Sequence, residues 1–183
     1  LNTMDTFLII LGCILCGVAI WLLYYRALFA PALSFIGIAT MGLAYKGYYP
    51  IFPIGPAMLI SWALIDAGIM FVTSLQPIYI IDERRGMWQI IVGAVAGMAL
   101  GLLGVNINYN INLHYTLMIV GTAVGTFLGY LYFYLTPKGK EVIENKKEFF
   151  EYFLGKGFPV ALTIMQIGLI LVLAINRYLL RNL

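Results

Sequence analysis

The sequence is poor in charge: 10% of its 183 residues are Asp, Glu, Lys or Arg, against 62% hydrophobic residues and a mean hydropathy of +0.94. An average soluble domain is about a quarter charged and about half apolar. Eleven Lys and Arg with eight Asp and Glu are too few to cover a water-soluble fold of this size, so the apolar excess must face lipid. A single histidine, His114, excludes a His-rich metal site and a bis-histidine haem. The chain has no phosphate-cradling P-loop, no HExxH and no GxSxG, so no cofactor or metal is expected. The net charge of +3 comes from basic residues at the ends of apolar runs, without the stripe that would track nucleic acid. No Lys or Arg precedes the first apolar run and no small-residue cleavage site follows it, which makes that run a span and not a cleavable signal.

What remains is apolar length. A span needs about 20 mostly apolar residues to cross a roughly 30 Å hydrocarbon core, and six segments approach this: Thr6 to Tyr25, Ala30 to Tyr45, Pro56 to Leu75, Trp88 to Gly104, Leu117 to Leu135 and Phe158 to Asn176. The expected fold is therefore all-α, a polytopic membrane helix bundle of about six transmembrane helices in a single domain over residues 1–183. The second segment is short, and a five-helix arrangement with a half-span there is the alternative. Basic residues accumulate on the cytoplasmic side. Six spans put Arg26, Arg84, Arg85, Lys138, Lys140, Lys146, Lys147 and Lys156 on one side and only Lys46, Arg177 and Arg181 on the other. The first side is expected to be cytoplasmic, with both termini opposite. Tyr24, Tyr25, Tyr45, Trp88 and Tyr115 at span ends fit the interfacial aromatic belt.

Two connecting segments carry patterns of their own. After Pro137, residues Lys140 to Leu154 repeat apolar positions near helical spacing, which predicts a short cytoplasmic interfacial helix resting on headgroups, ended by Gly155 and Gly157. Between spans four and five, Val105, Ile107, Tyr109, Ile111 and Leu113 alternate with Asn106, Asn108, Asn110, Asn112 and His114. Period two reads as a short outer strand, pairing with a segment such as Gly47 to Ile54 or with a partner chain; an irregular interfacial loop is the equal alternative.

The most specific spacing is a pair of glycine zippers, Gly93, Gly97 and Gly101 in span four and Gly121, Gly125 and Gly129 in span five. Glycine every four residues makes a smooth helix face that lets backbones approach. The two spans are expected to pack zipper to zipper, or onto another subunit. Asp66 is the only acid well inside a span, a costly placement that makes it a candidate for proton or cation transfer, with a buried hydrogen-bonding or packing role as the alternative. Trp62 and Thr73 share its helical face, and Gln166 of span six is its candidate partner. Arg84 and Arg85, in the Asp82–Arg85 cluster, are candidates for holding a phosphate or lipid headgroup, although such a cluster is more often a mutually neutralised turn. Cys13 and Cys16 form a C-x-x-C, but inside lipid thiolates are disfavoured, so they read as small packing residues.

These features lead first to a non-catalytic membrane subunit or scaffold, packing through its glycine zippers in a homo-oligomer or larger membrane complex. Its expected partners are membrane lipid and other membrane subunits or copies of itself. The alternatives are a small channel or transporter with Asp66 on a proton or cation pathway, and a membrane enzyme acting on lipid, which would need a second acid or base.

Overall fold

The apolar runs fold into helices wherever the chain is described. The structure, a computed structural model, describes residues 3–44, 56–104 and 111–181, and every element among them is helical. In chain order these are α1 (Thr3–Arg26), a 3-10 turn (Ala27–Phe29), α2 (Ala30–Ala44), α3 (Pro56–Ser74), α4 (Ile78–Asp82), α5 (Met87–Leu103), α6 (Ile111–Leu135), α7 (Pro137–Val142), α8 (Lys146–Tyr152), a π-helical turn (Phe153–Gly157) and α9 (Phe158–Arg181). Four stretches are long and apolar enough to cross a membrane: Thr3–Ala44, Pro56–Ser74, Leu113–Leu135 and Lys146–Leu173. Helix α5 is equally apolar but shorter, at 17 residues.

The first stretch is not one rod. At Arg26 the backbone leaves the helical region, with φ −147° and ψ 74°, and Pro31 lacks the N–H that a continuing helix would use. Helix α2 then returns antiparallel along α1. A Cβ on Gly12 would lie 2.8 Å from the carbonyl oxygen of Gly37, and one on Gly37 would lie 2.8 Å from Cys16 Sγ. Cys16 is thus a small residue in a close helix contact, while Cys13 faces outward. With 15 residues, α2 rises only about 22 Å.

Helices α5 and α6 form a second antiparallel hairpin, and α9 packs against α2, α5 and α6. The core between them is built from residues such as Leu23, Ile38, Met87, Ile90, Met118 and Ile164. Helix α3 stands at the edge, where its only fully buried residues are Asp66 and Thr73.

Two expectations change at the ends of the bundle. The predicted interfacial helix Lys140–Leu154 is two helices, because Ile143 is extended and Asn145 starts a new one by accepting a hydrogen bond from Glu148 N at 2.9 Å. Part of its apolar face is covered by α6: Tyr152 is buried and stacks on Tyr130 at 5.8 Å, and Tyr130 donates to the Phe149 carbonyl at 2.6 Å, while Phe150 stays exposed. Gly155 and Gly157 do not end it either, since they sit inside the π-helical turn that carries α8 into α9. At the opposite end, Ile111–His114 form the first turn of α6 and not a strand. Four alternating residues do not separate period two from the start of a helix, and the helix of the adjoining span extends through them. Residues 105–110 and 47–54 lie outside the described residues.

Candidate functional site

Asp66 and Gln166 meet in the interior. Gln166 Nε2 donates to Asp66 Oδ1 at 2.9 Å, and both side chains are buried. The amide oxygen of Gln166 is in turn held by the hydroxyl of Ser34 on α2, which also lies 3.0 Å from the Pro31 carbonyl. Three helices thus contribute one residue each to a polar chain, Ser34 to Gln166 to Asp66. Its direction matters chemically: Oδ1 is fixed as an acceptor, so the atom left to take a proton or cation is Oδ2. That oxygen is buried and has no hydrogen-bond partner among the described residues. On α9, three residues before Gln166 and on the same helical face, Thr163 holds a second buried oxygen with no partner among the described residues. Asp66 is 5% exposed and Gln166 and Ser34 not at all. A buried polar group left unpartnered costs about 1–3 kcal/mol, so Oδ2 is a point of stored affinity.

The other two residues expected on this face go elsewhere. Thr73, two turns along α3, donates to the Leu154 carbonyl at 3.2 Å in the π-helical turn. Trp62, one turn the other way, lines an apolar cleft of about 460 Å³ between α3, α6 and α9, beside Ile65, Ile119 and Met165. Ser34 was not distinguishable in the sequence, where it is a lone hydroxyl in an apolar run; only the approach of α2 to α9 gives it a role.

The Asp82–Arg85 cluster is a structured turn. Glu83 Oε1 accepts from the backbone N–H groups of Arg84 and Arg85 at 2.9 Å each, and Arg85 forks onto the carboxylate at 2.7 and 3.1 Å. Hydrogen bonding from Arg85 outweighs desolvation and holds the Glu83 carboxyl down to about 2. Gly86 closes the turn at φ 86°, with the ring of Phe133 where a side chain would stand. Arg84 lies 5.1 Å from the ring centre of Tyr25, Arg85 reaches Glu141 of α7 at 3.7 Å, and the Tyr152 hydroxyl donates to the Arg85 carbonyl. Lys156, counted among the basic residues that set orientation, is buried, its ammonium donating to the Ile81 carbonyl at the end of α4. The turn and Asp66 are separated by the last two turns of α3 and by α4, so they do not form one site.

The six glycines face one another. A Cβ on Gly97 would overlap the Gly121 carbonyl oxygen and sit 2.8 Å from Gly125 Cα, one on Gly93 would sit 2.9 Å from Gly129 Cα, and one on Gly101 would overlap the Leu117 carbonyl oxygen. His114 lies in the first turn of α6, half-buried. No protein-family model, curated protein or solved structure matches the chain.

Proposed function

We propose that the chain is a small multi-pass transport protein in which Asp66 takes up and releases a proton or cation within the membrane. The observation that carries this reading is the buried, unpartnered Oδ2 of a carboxyl whose other oxygen is pinned by Gln166. An acid at such depth is expensive and marks a pathway in many membrane proteins. Its helix, α3, joins the bundle through the buried Asp66 and Thr73 and through half-exposed Met58, Leu59 and Trp62.

Six crossings fit this reading. The antiparallel course of α2 along α1 and of α5 along α6 supports counting each as a crossing, α2 being short by roughly 8 Å of a 30 Å core. The contacts that tie Tyr25, Arg84, Arg85, Glu141 and Lys156 into one end of the bundle support a shared, cytoplasmic side for the basic connections, with both termini opposite.

The test is ion flux into vesicles reconstituted with the full chain, read by an internal pH dye and by cation uptake. Asp66→Asn retains an acceptor for Gln166 but does not titrate, so it should fold and drop flux to the protein-free background. Flux unchanged in Asp66→Asn, or none above background in the parent, overturns the proposal.

A second reading, a membrane subunit or scaffold, has one observation in its favour: α3 and the turn that follows it point a stripe of Ile60, Leu64, Gly68, Phe71 and Leu75 outward. Native mass after gentle extraction, with co-purifying chains identified, separates it from the first.

A further inference from the structure

Two clefts on the outer face of the α5–α6 hairpin adjoin at Trp88 and Gln89, which line both. The first, about 500 Å³, sits at the basic end and is lined by Arg84, Arg85 and Lys138 beside Tyr24, Trp88 and Gln89. The second, about 800 Å³, begins at the same Trp88 and Gln89 and runs along the hairpin to Gly101 and Leu117. Its walls are Val92, Ala96 and Leu100 from α5 and Val120, Val124 and Leu128 from α6, and its floor is the glycine backbone. From Trp88 to Gly101 the groove is about 20 Å long at the helical rise. One leaflet is about half of a roughly 30 Å hydrocarbon core, about 15 Å, so the groove is long enough to hold one lipid chain.

Charge and polarity run in the order a phospholipid needs. Arg85 is largely neutralised by Glu83 at 2.7 Å, with Glu141 at 3.7 Å. Arg84 and Lys138 are exposed and form no ion pair among the described residues. Two unpaired cations therefore stand at the mouth, the Gln89 amide lies at the junction where ester carbonyls would fall, and the remainder is apolar. Trp88, 67% exposed, stands between the two clefts at the level where indole rings favour the interface.

We infer that this surface is a binding site for one anionic glycerophospholipid, its phosphate against Arg84 and Lys138 and one acyl chain laid in the glycine-floored groove. Because glycine removes side chains from the floor without loosening the hairpin, the same spacing that brings α5 and α6 together also makes the channel. The inference requires the membrane placement but not the chemistry of Asp66, so the failure of the flux experiment leaves it standing.

The test uses the full chain carrying Trp21→Phe and Trp62→Phe, so that Trp88 alone of the three tryptophans reports. The protein is reconstituted in phosphatidylcholine vesicles containing the same minor fraction of brominated phosphatidylglycerol or brominated phosphatidylcholine. Quenching of Trp88 should be stronger with the anionic lipid. Arg84→Gln and Lys138→Gln should each reduce the preference, by roughly fivefold per cation. Ala96→Phe, which narrows the groove at an exposed position, should reduce quenching while leaving the thermal transition in place. Inorganic phosphate in excess should not reverse the preference. Equal quenching by the two lipids overturns the proposal, as does full competition by inorganic phosphate, which would make the mouth a simple anion site. Should Arg84→Gln fail to fold, Lys138→Gln alone, on an exposed side chain, decides.

Discussion

Helices α5 and α6 meet through their backbones, whereas α3 meets the bundle through two buried polar side chains. Lipid tails are as apolar as leucine, so burial of apolar surface gives helices in a bilayer no reason to associate, and packing or interhelical hydrogen bonds must supply it. The hairpin uses the first device. Gly93, Gly97, Gly101, Gly121, Gly125 and Gly129 bring carbonyl oxygens and Cα atoms of facing helices together, where many dispersion contacts and weak Cα–H···O contacts accumulate. Helix α3 uses the second. Asp66 bonds to Gln166 and Thr73 to the Leu154 carbonyl; Met58, Leu59 and Trp62 pack on the core but stay half-exposed, and Ile60, Leu64 and Phe71 face outward. Interlocked backbones form a unit with one arrangement, while a few hydrogen bonds hold a helix that opens at lower free energy.

The sharpest way to break this contrast is Gly97→Val. The added atoms have backbone on the far side, the Gly121 carbonyl and Gly125 Cα, so the helices must separate along their whole contact. Destabilisation of about 3 kcal/mol or more is expected, read as a lowered midpoint of unfolding in mixed micelles. A variant as stable as the parent would show that the hairpin is not held by close backbone approach. Next in size is Gln166→Leu. It removes the amide between Asp66 and Ser34 and leaves their oxygens without it, for an expected loss of about 1–2 kcal/mol. Its signature is local: hydrogen exchange should rise in α3 and stay unchanged in α5 and α6. A uniform rise across the bundle would mean that α3 is no separate unit.

Much of this difference was legible in the sequence. The glycine spacing indicated backbone contact, and the depth of Asp66 with the position of Gln166 indicated an interior polar pair. The helix starts at Ala30, Pro56 and Phe158 match the expected span starts. What escaped depends on which elements touch. Ser34 acquires its role only because α2 lies against α9, and Thr73 diverges from Asp66 because a π-helical turn, with no sequence spacing of its own, brings the Leu154 carbonyl to it. Nothing in the sequence marks Lys156 as buried, since basic residues near span ends are commonly solvated. It is buried because the same turn points it at the unsatisfied carbonyl end of α4.

The smallest expected effect is the most discriminating for the outer face of α3. Gly68 is exposed, and a Cβ built there meets nothing within 4 Å, in contrast to the same residue type at position 97. In a lone chain, Gly68→Ala removes backbone freedom from a helix interior without a clash, so stability should hold or rise by up to about 1 kcal/mol. Flux should be unaltered, since neither Asp66 nor Gln166 is touched. If α3 instead lays its Ile60 to Leu75 stripe against a second chain, Gly68 lies at the middle of that contact and the extra methyl falls between two helices. Gly68→Ala would then lower the native mass or the melting midpoint of the extracted protein, although nothing within the chain opposes it. Such a loss would shift α3 from a mobile carrier of Asp66 to an interface helix, and the subunit reading would take precedence over transport.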